Sequence, residues 1–254
     1  MLHFFEKGQG LALLFLHGFC ETGEMWRHFA ESLSTQYRVL CPDLPGFGSS
    51  PITHPITCLE DVAEQLEEWM DALQIQNPIV MGHSLGGYVA LALLERMGDR
   101  IQAIGLLHST AYADDLEKKE MRNRVLIFLN KHGAAKFVSS FVPQLFPEHR
   151  REELADAMAH AIEDGQRSSL EGLKAYTVAM RDRQDRIAIL QQFTGPKLLL
   201  AGTVDGAVKI ESSRAQQKYF THYIELEGVG HLGMIEEKEK TLAVVEDFVR
   251  EALS

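Results

Sequence analysis

Gly82-His83-Ser84-Leu85-Gly86 follows the apolar run Ile79-Val80-Met81 and leads into Gly87-Tyr88-Val89-Ala90. Read in order, these residues predict a buried strand, a tight turn and a helix, the setting in which G-x-S-x-G carries meaning. The turn is sharp enough that a side chain on either flanking residue would strike neighbouring backbone, so glycine is required on both sides. It lifts the Ser84 hydroxyl above the carboxyl end of a sheet, beside a helix N-terminus. Ser84 is the candidate nucleophile.

Outward from the turn, short apolar runs alternate with helical patterns. Strands are expected at Leu11–Leu16, Tyr37–Cys41, Ile79–Met81, Ile101–Leu107, Lys197–Ala201 and His222–Leu226, with an edge strand at Leu2–Glu6 before Gly8-Gln9-Gly10. Helices are expected near Glu24–Ser34, Leu59–Leu73, Leu85–Met97, Ala207–Lys218 and Glu236–Leu253. Such alternation implies an α/β fold, a mostly parallel sheet of seven or eight strands flanked by helices.

Residues 111–192 interrupt the rhythm. They contain no convincing strand, only helical patterns near Asp114–Lys131, Ala134–Val142, Pro147–Asp164 and Arg167–Arg181. This stretch holds 13 acidic and 13 basic residues and is neutral, whereas the remainder holds 23 acids against 12 bases and carries the whole net charge of −11. The expected organisation is a core built from residues 1–110 and 193–254, with a helical cap at 111–192 inserted between two strands.

A serine hydroxyl needs a base, and the base an imidazole oriented by a carboxylate. Both should stand in loops at the strands' carboxyl ends, after the serine. Asp205 follows Leu198–Leu200, and Gly230-His231 follows the last strand. Asp114 and Asp115, after the strand at 101–107, compete with Asp205, although aspartates opening a helix serve routinely as caps. Two backbone N–H groups are needed for the oxyanion: Leu85, after the nucleophile, and Phe19, in the loop His17-Gly18-Phe19. His17 and His83 are read as structural.

Composition excludes other classes. An acidic body without a basic stripe argues against nucleic acid and anionic membranes. Cys20, Cys41 and Cys58 have no paired spacing, and the 11 histidines form no metal signature, so neither disulfides, metal nor cofactor is expected. The run Leu11–Leu16 is too short for a spanning helix or signal segment, which makes the cytoplasm the expected location.

His17-Gly18-Phe19, Asp43-Leu44-Pro45-Gly46-Phe47-Gly48-Ser49-Ser50, the serine turn, Asp205 and Gly230-His231 stand in an order that resembles the α/β-hydrolase family. The resemblance spans nearly the whole chain. It implies an eight-stranded sheet, of which the first strand is expected to be missing here, with a cap between strands six and seven. It implies a serine hydrolase that cleaves a carboxylic ester through an acyl-enzyme, and a loop-shaping role for Asp43. Serine at position 84 argues against the dehalogenases and epoxide hydrolases of this fold, which use a carboxylate.

The functional resemblance is to capped carboxylesterases, including those acting on pimeloyl-carrier methyl esters. Phe128, Phe137, Phe141, Phe146 and Met158 in the cap are candidate substrate contacts for an apolar acyl or alcohol group. Lys118, Lys119, Arg122 and Arg124 could dock an acidic carrier protein, against the simpler reading of a solvated helix face. A carbon–carbon bond hydrolase, a cofactor-free perhydrolase, an acyltransferase and a non-catalytic receptor or scaffold remain open alternatives.

Overall fold

The computed structural model describes residues 1–253. Seven strands form one sheet: β1 (Phe4–Lys7), β2 (Ala12–Leu16), β3 (Arg38–Pro42), β4 (Ile79–His83), β5 (Ala103–Leu107), β6 (Lys197–Gly202) and β7 (His222–Leu226). Their spatial order is β1-β3-β2-β4-β5-β6-β7. Only β1 runs antiparallel, pairing Phe4 with Pro42 and Lys7 with Val39 at the edge.

The hydrophobic pattern explains the layering. Every residue of β2, β4 and β5 is buried, as strands covered on both faces require. β1 and β7, at the edges, are mostly part-exposed. Helix α2 (Leu59–Ala72) buries Leu59, Val62, Ala63, Leu66, Trp69 and Met70, one face of a 3.6-residue period. Helix α3 (Leu85–Met97) is apolar nearly all round and sits inside. Helices α1 (Arg27–Leu33), α8 (Ile210–Gln216), α9 (Gly233–Glu236) and α10 (Lys238–Ala252) complete the flanks.

β2 lies between β3 and β4, so the chain leaves β2 toward one side of the sheet and returns on the other. Ligands of open α/β sheets bind in the crevice at such a reversal, outside the strands' carboxyl ends. Leu16 is level with Gly82, and His83 with Leu107. The loops carrying Phe19 and Ser84 therefore leave the sheet side by side.

Between β5 and β6 the chain forms α4 (Leu116–Phe141), α5 (Ala155–Gly165), α6 (Leu170–Asp182) and α7 (Ile187–Gln192), with no strand among residues 111–192. Gly133, at φ 78° and ψ 175°, is non-helical and divides α4 into two helical segments, the pair expected on either side of it. Other helices are shorter than expected. The pattern at Pro147–Asp164 yields one α-helix, starting only at Ala155, because Glu148–Arg150 form a tight 3₁₀ turn. That at Glu24–Ser34 becomes a turn at Gly23–Trp26 followed by α1.

The short α7 was not legible in the periodicity. Asp185 caps it by accepting the Ile187 N–H at 2.9 Å, and the buried Arg186 guanidinium ties it to Glu60 and Glu95 on the core. Elsewhere the insert approaches the core closely. Thr22 donates to Asp164 through its N–H (3.0 Å) and its hydroxyl (2.7 Å). Gly46 and Gly172 approach so closely that a Cβ on Gly46 would lie 2.8 Å from the Gly172 Cα.

Candidate active site

Ser84 joins β4 to α3 with φ 49° and ψ −113°, a conformation that costs a non-glycine residue about 1–3 kcal/mol. Its surroundings impose it. The Ser84 N–H donates to the Leu107 carbonyl at 3.0 Å, and the Ser84 carbonyl accepts the Ser109 hydroxyl at 2.7 Å. A Cβ on Gly82 would fall 2.3 Å from the Gly86 carbonyl oxygen, and one on Gly86 2.3 Å from that of Leu16. Both glycines are there because backbone occupies the space of a side chain.

His231 and Asp205 meet beside this turn. Asp205 Oδ2 accepts His231 Nδ1–H at 2.8 Å, and its Oδ1 accepts the Ala207 and Val208 N–H groups at 2.8 and 2.9 Å. Burial alone would raise the Asp205 carboxyl, but the facing His231 and His108 imidazoles hold it far below the usual carboxylate range. It is an anion with both oxygens committed, which leaves Nε2 of His231 as the free face of the ring. Among the described residues the Ser84 hydroxyl makes no hydrogen bond to the protein, His231 included. Nucleophile–base bonds are often long until substrate binds.

The competing carboxylates are placed elsewhere. Asp114 is buried against Arg183 (2.6 Å) and Arg122 (3.1 Å), and Asp115 caps α4 through the Lys118 N–H at 2.8 Å. The first is an ion cluster under the insert and the second a helix cap. Asp43 accepts the Gly23 and Ser49 N–H groups and meets His3, which shapes its loop as the family resemblance implied.

The two backbone donors expected for the oxyanion, Phe19 N–H and Leu85 N–H, have no acceptor in the protein among the described residues. His17 holds the loop between them. Its Nε2 accepts the Leu44 N–H at 2.9 Å, so Nδ1 carries the proton and donates to the Gly18 carbonyl at 2.8 Å. Burial lowers its pKa and keeps it neutral, as that tautomer requires.

Two histidines and an acid near the site were not foreseen in these roles. His83 is buried between Glu21 and the His231 carbonyl, 2.9 Å from each. His108, at φ 50°, places Nδ1 3.4 Å from Asp205 Oδ2, and burial lowers its pKa. A Cβ on Gly233 would meet its Nε2 at 2.4 Å. His108, Asp205 and His231 have ligating atoms within 4.8 Å of one another, the one grouping among the described residues with metal-like spacing. All three are buried and two are hydrogen-bonded together, so the cluster reads as an acid–base pair with a packing partner.

Of the five expected cap contacts, two pack on Phe19 and a third stands behind them. Phe137 and Phe141 stack on each other at 5.2 Å and pack edge-on to Phe19 at 6.0 and 5.9 Å, while Phe128 reaches Phe137 at 6.1 Å. Phe146 is instead wholly buried in the core, and Met158 packs part-buried against it. A cavity of about 320 Å³ opens nearby, walled by Cys20, Met25, Val142, Leu145, Ala161 and Leu232. Cys20 follows Phe19 and Leu232 follows His231, but neither Ser84 nor any of the five cap residues lines it. Its charged walls are acidic, at Glu21, Glu24 and Asp164.

A family model for the alpha/beta hydrolase fold matches residues 12–238, and the chain belongs to that family. Among curated relatives, it is 28% identical to a pimeloyl-[acyl-carrier protein] methyl ester esterase of Vibrio vulnificus, over 85% of each chain. It is 24% identical to 3-oxoadipate enol-lactonase 1 of Acinetobacter baylyi, over 94% of this chain and 88% of that one. Among solved structures, a thermophilic esterase from Thermogutta terrifontis superposes with a TM-score of 0.93 at 27% identity, covering 100% of this chain and 94% of its own. Among the described residues no helix is long and apolar enough to cross a membrane.

Proposed function

We propose that this protein is a serine hydrolase that cleaves carboxylic esters carrying an apolar acyl or alcohol group, through an acyl-enzyme. One observation carries the reading: Asp205 has both oxygens committed, one of them to Nδ1 of His231, beside a serine held at positive φ. That arrangement supplies an imidazole of defined tautomer next to an activated turn.

In this reading Ser84 attacks the ester carbonyl while His231 Nε2 takes its proton. The oxyanion is held by the Phe19 and Leu85 N–H groups, and Asp205 stabilises the imidazolium. His231 then protonates the departing alcohol. A water, deprotonated by the same nitrogen, releases the acid and restores Ser84.

Residues 111–192 act as a cap. Phe137, Phe141 and Phe128 line the approach, and the 320 Å³ cavity takes the apolar end of the substrate. Its acidic walls oppose a free carboxylate there. The test is labelling by a fluorophosphonate probe together with hydrolysis of aryl esters of increasing acyl length. Labelling at Ser84 and a preference for chains longer than acetate are expected. A folded protein that neither labels nor hydrolyses any ester would overturn the reading in favour of a scaffold of the same fold.

A second reading has its own support. Helix α4 exposes Leu116, Met121 and Ile127, with Glu117 and Glu120 exposed in its first turns and Arg124 and Lys131 exposed further along. A carrier protein bearing the ester would fit such a face, as the Vibrio relative's name suggests of that enzyme. Reversing Arg124 and Lys131 to glutamate should then lower kcat/KM for a carrier-bound ester and leave a free methyl ester unchanged.

A further inference from the structure

Behind the reacting groups lies a second buried acid–imidazole pair. Glu21, in the loop after β2, accepts the Gly18 N–H and His83 Nδ1–H on a single oxygen, at 2.5 and 2.9 Å. His83, the residue before Ser84, donates from Nε2 to the His231 carbonyl at 2.9 Å. A Cβ on Gly18 would stand 2.6 Å from that carboxylate oxygen and 2.7 Å from His83 Nδ1, so glycine at 18 is what admits the pair. Three loops far apart in sequence are joined through two side chains.

We propose that Glu21 and His83 are a positioning pair, an ion pair that locks the oxyanion loop, the serine turn and the base loop into one unit, with His83 held as an imidazolium. This rests on the roles given above to Ser84, His231 and the Phe19 N–H. Hydrogen-bond chemistry assigns the charge. A carboxylate and a carbonyl are both acceptors, and only the imidazolium form of histidine has two N–H donors. A neutral ring would turn one lone pair against an acceptor. Burial alone would lower the pKa of His83, but the Glu21 carboxylate and the His231 carbonyl hold it above the ordinary value. Burial likewise opposes ionised Glu21, and His83 reverses that, leaving its pKa below the usual one.

The charged and titratable groups facing His83 are Glu21, His231 with ring centroids 4.9 Å away, His108 at 6.0 Å, and Asp205 more remotely. The pair therefore places the base, through the bond from His83 Nε2 to the His231 carbonyl. Because the pKa of His83 is raised, the unit is intact below that value and comes apart as pH rises through it.

The experiment compares Glu21→Gln, His83→Gln, the double variant and Ser84→Ala with the parent, measuring kcat and KM across pH. In the parent, ¹⁵N NMR of the histidine rings is recorded at neutral pH. Each single variant should lose kcat on the order of 10²-fold, the scale of a misplaced reacting group, with KM within about twofold. The parent's kcat should fall on the alkaline side as His83 loses its proton, a limb that His83→Gln should lack. The double variant should be no worse than the worse single, since the two act as one unit. Both ring nitrogens of His83 should carry protons.

Folded variants with parental kcat, or a His83→Gln variant that keeps the parent's alkaline limb, would overturn the proposal. So would a uniform loss at all pH values, which is what a merely structural role predicts. If the variants do not fold, the NMR spectrum decides: an unprotonated nitrogen on His83 refutes the pair. An active Ser84→Ala would instead overturn the assigned function and leave the NMR result standing.

Discussion

The loops at the carboxyl edge of the sheet and the helices of residues 111–192 touch at many points, yet they follow different rules. At the edge, Asp205, His231, His83 and His17 are buried, and apart from Nε2 of His231 their side-chain polar atoms answer to named partners. In α4, by contrast, only Leu129, Phe137 and Val138 of 26 residues are buried, and a glycine breaks the helix midway. The difference teaches where a substitution is felt. Groups that must hold hydrogen-bond geometry to a few tenths of an ångström respond to change steeply. A lightly packed helical layer responds in proportion to the apolar surface altered.

The sharpest way to break this contrast is at the turn itself. Ser84→Ala should abolish ester hydrolysis, with a loss in kcat on the order of 10⁶, while thermal unfolding is barely changed because the hydroxyl packs against nothing essential. Retention of a tenth of the parental rate on an aryl ester would remove Ser84 from the mechanism.

Next in size is a pair of aspartates, of which the sequence favours Asp205 because Asp114 opens a helix. Asp205→Asn should cost on the order of 10⁴ in kcat by presenting the wrong imidazole tautomer. Asp114→Asn should act on stability instead. Taking one partner from a buried ion cluster costs about 3–5 kcal/mol, so the melting temperature should fall while the folded enzyme keeps its kcat. The reverse outcome would move the acid to the end of β5.

In the insert, effects should be graded. Phe137→Ala and Phe141→Ala remove apolar surface beside Phe19. With about 0.8 kcal/mol per buried methylene, losing three such contacts should lower kcat/KM for octanoate esters roughly fifty-fold and leave acetate nearly untouched. If both substrates fall by one factor, the insert is not the selecting element. The smallest effect belongs to the break in α4: Gly133→Ala places a side chain where essentially only glycine is at ease. It should cost about 1–3 kcal/mol in stability, read from chemical denaturation, with little change in kcat.

Much of this was legible in the residues. Strand–helix alternation, the glycine-flanked serine and the loop order of Ser84, Asp205 and His231 are local patterns, visible because side-chain periodicity and turn chemistry act over a few residues. The same locality explains the break at Gly133 and the strandless insert. Helix starts such as Ala155 and Arg27 were less visible, because a 3₁₀ turn carries the same residues as the first turn of an α-helix.

What only the tertiary structure decided is which buried polar groups answer one another. Glu21 gave no signal in the sequence, because its partner His83 stands 62 residues away. His108 gave no signal until β5 and β6 were aligned, with Leu107 level with Leu200. Asp114 and Asp205 both follow strands, and their partners, two arginines for one and an imidazole for the other, fix their different roles. A sequence by itself determines where a chain turns and which faces it hides. Satisfying a buried charge takes a second group from elsewhere, and no local pattern names it.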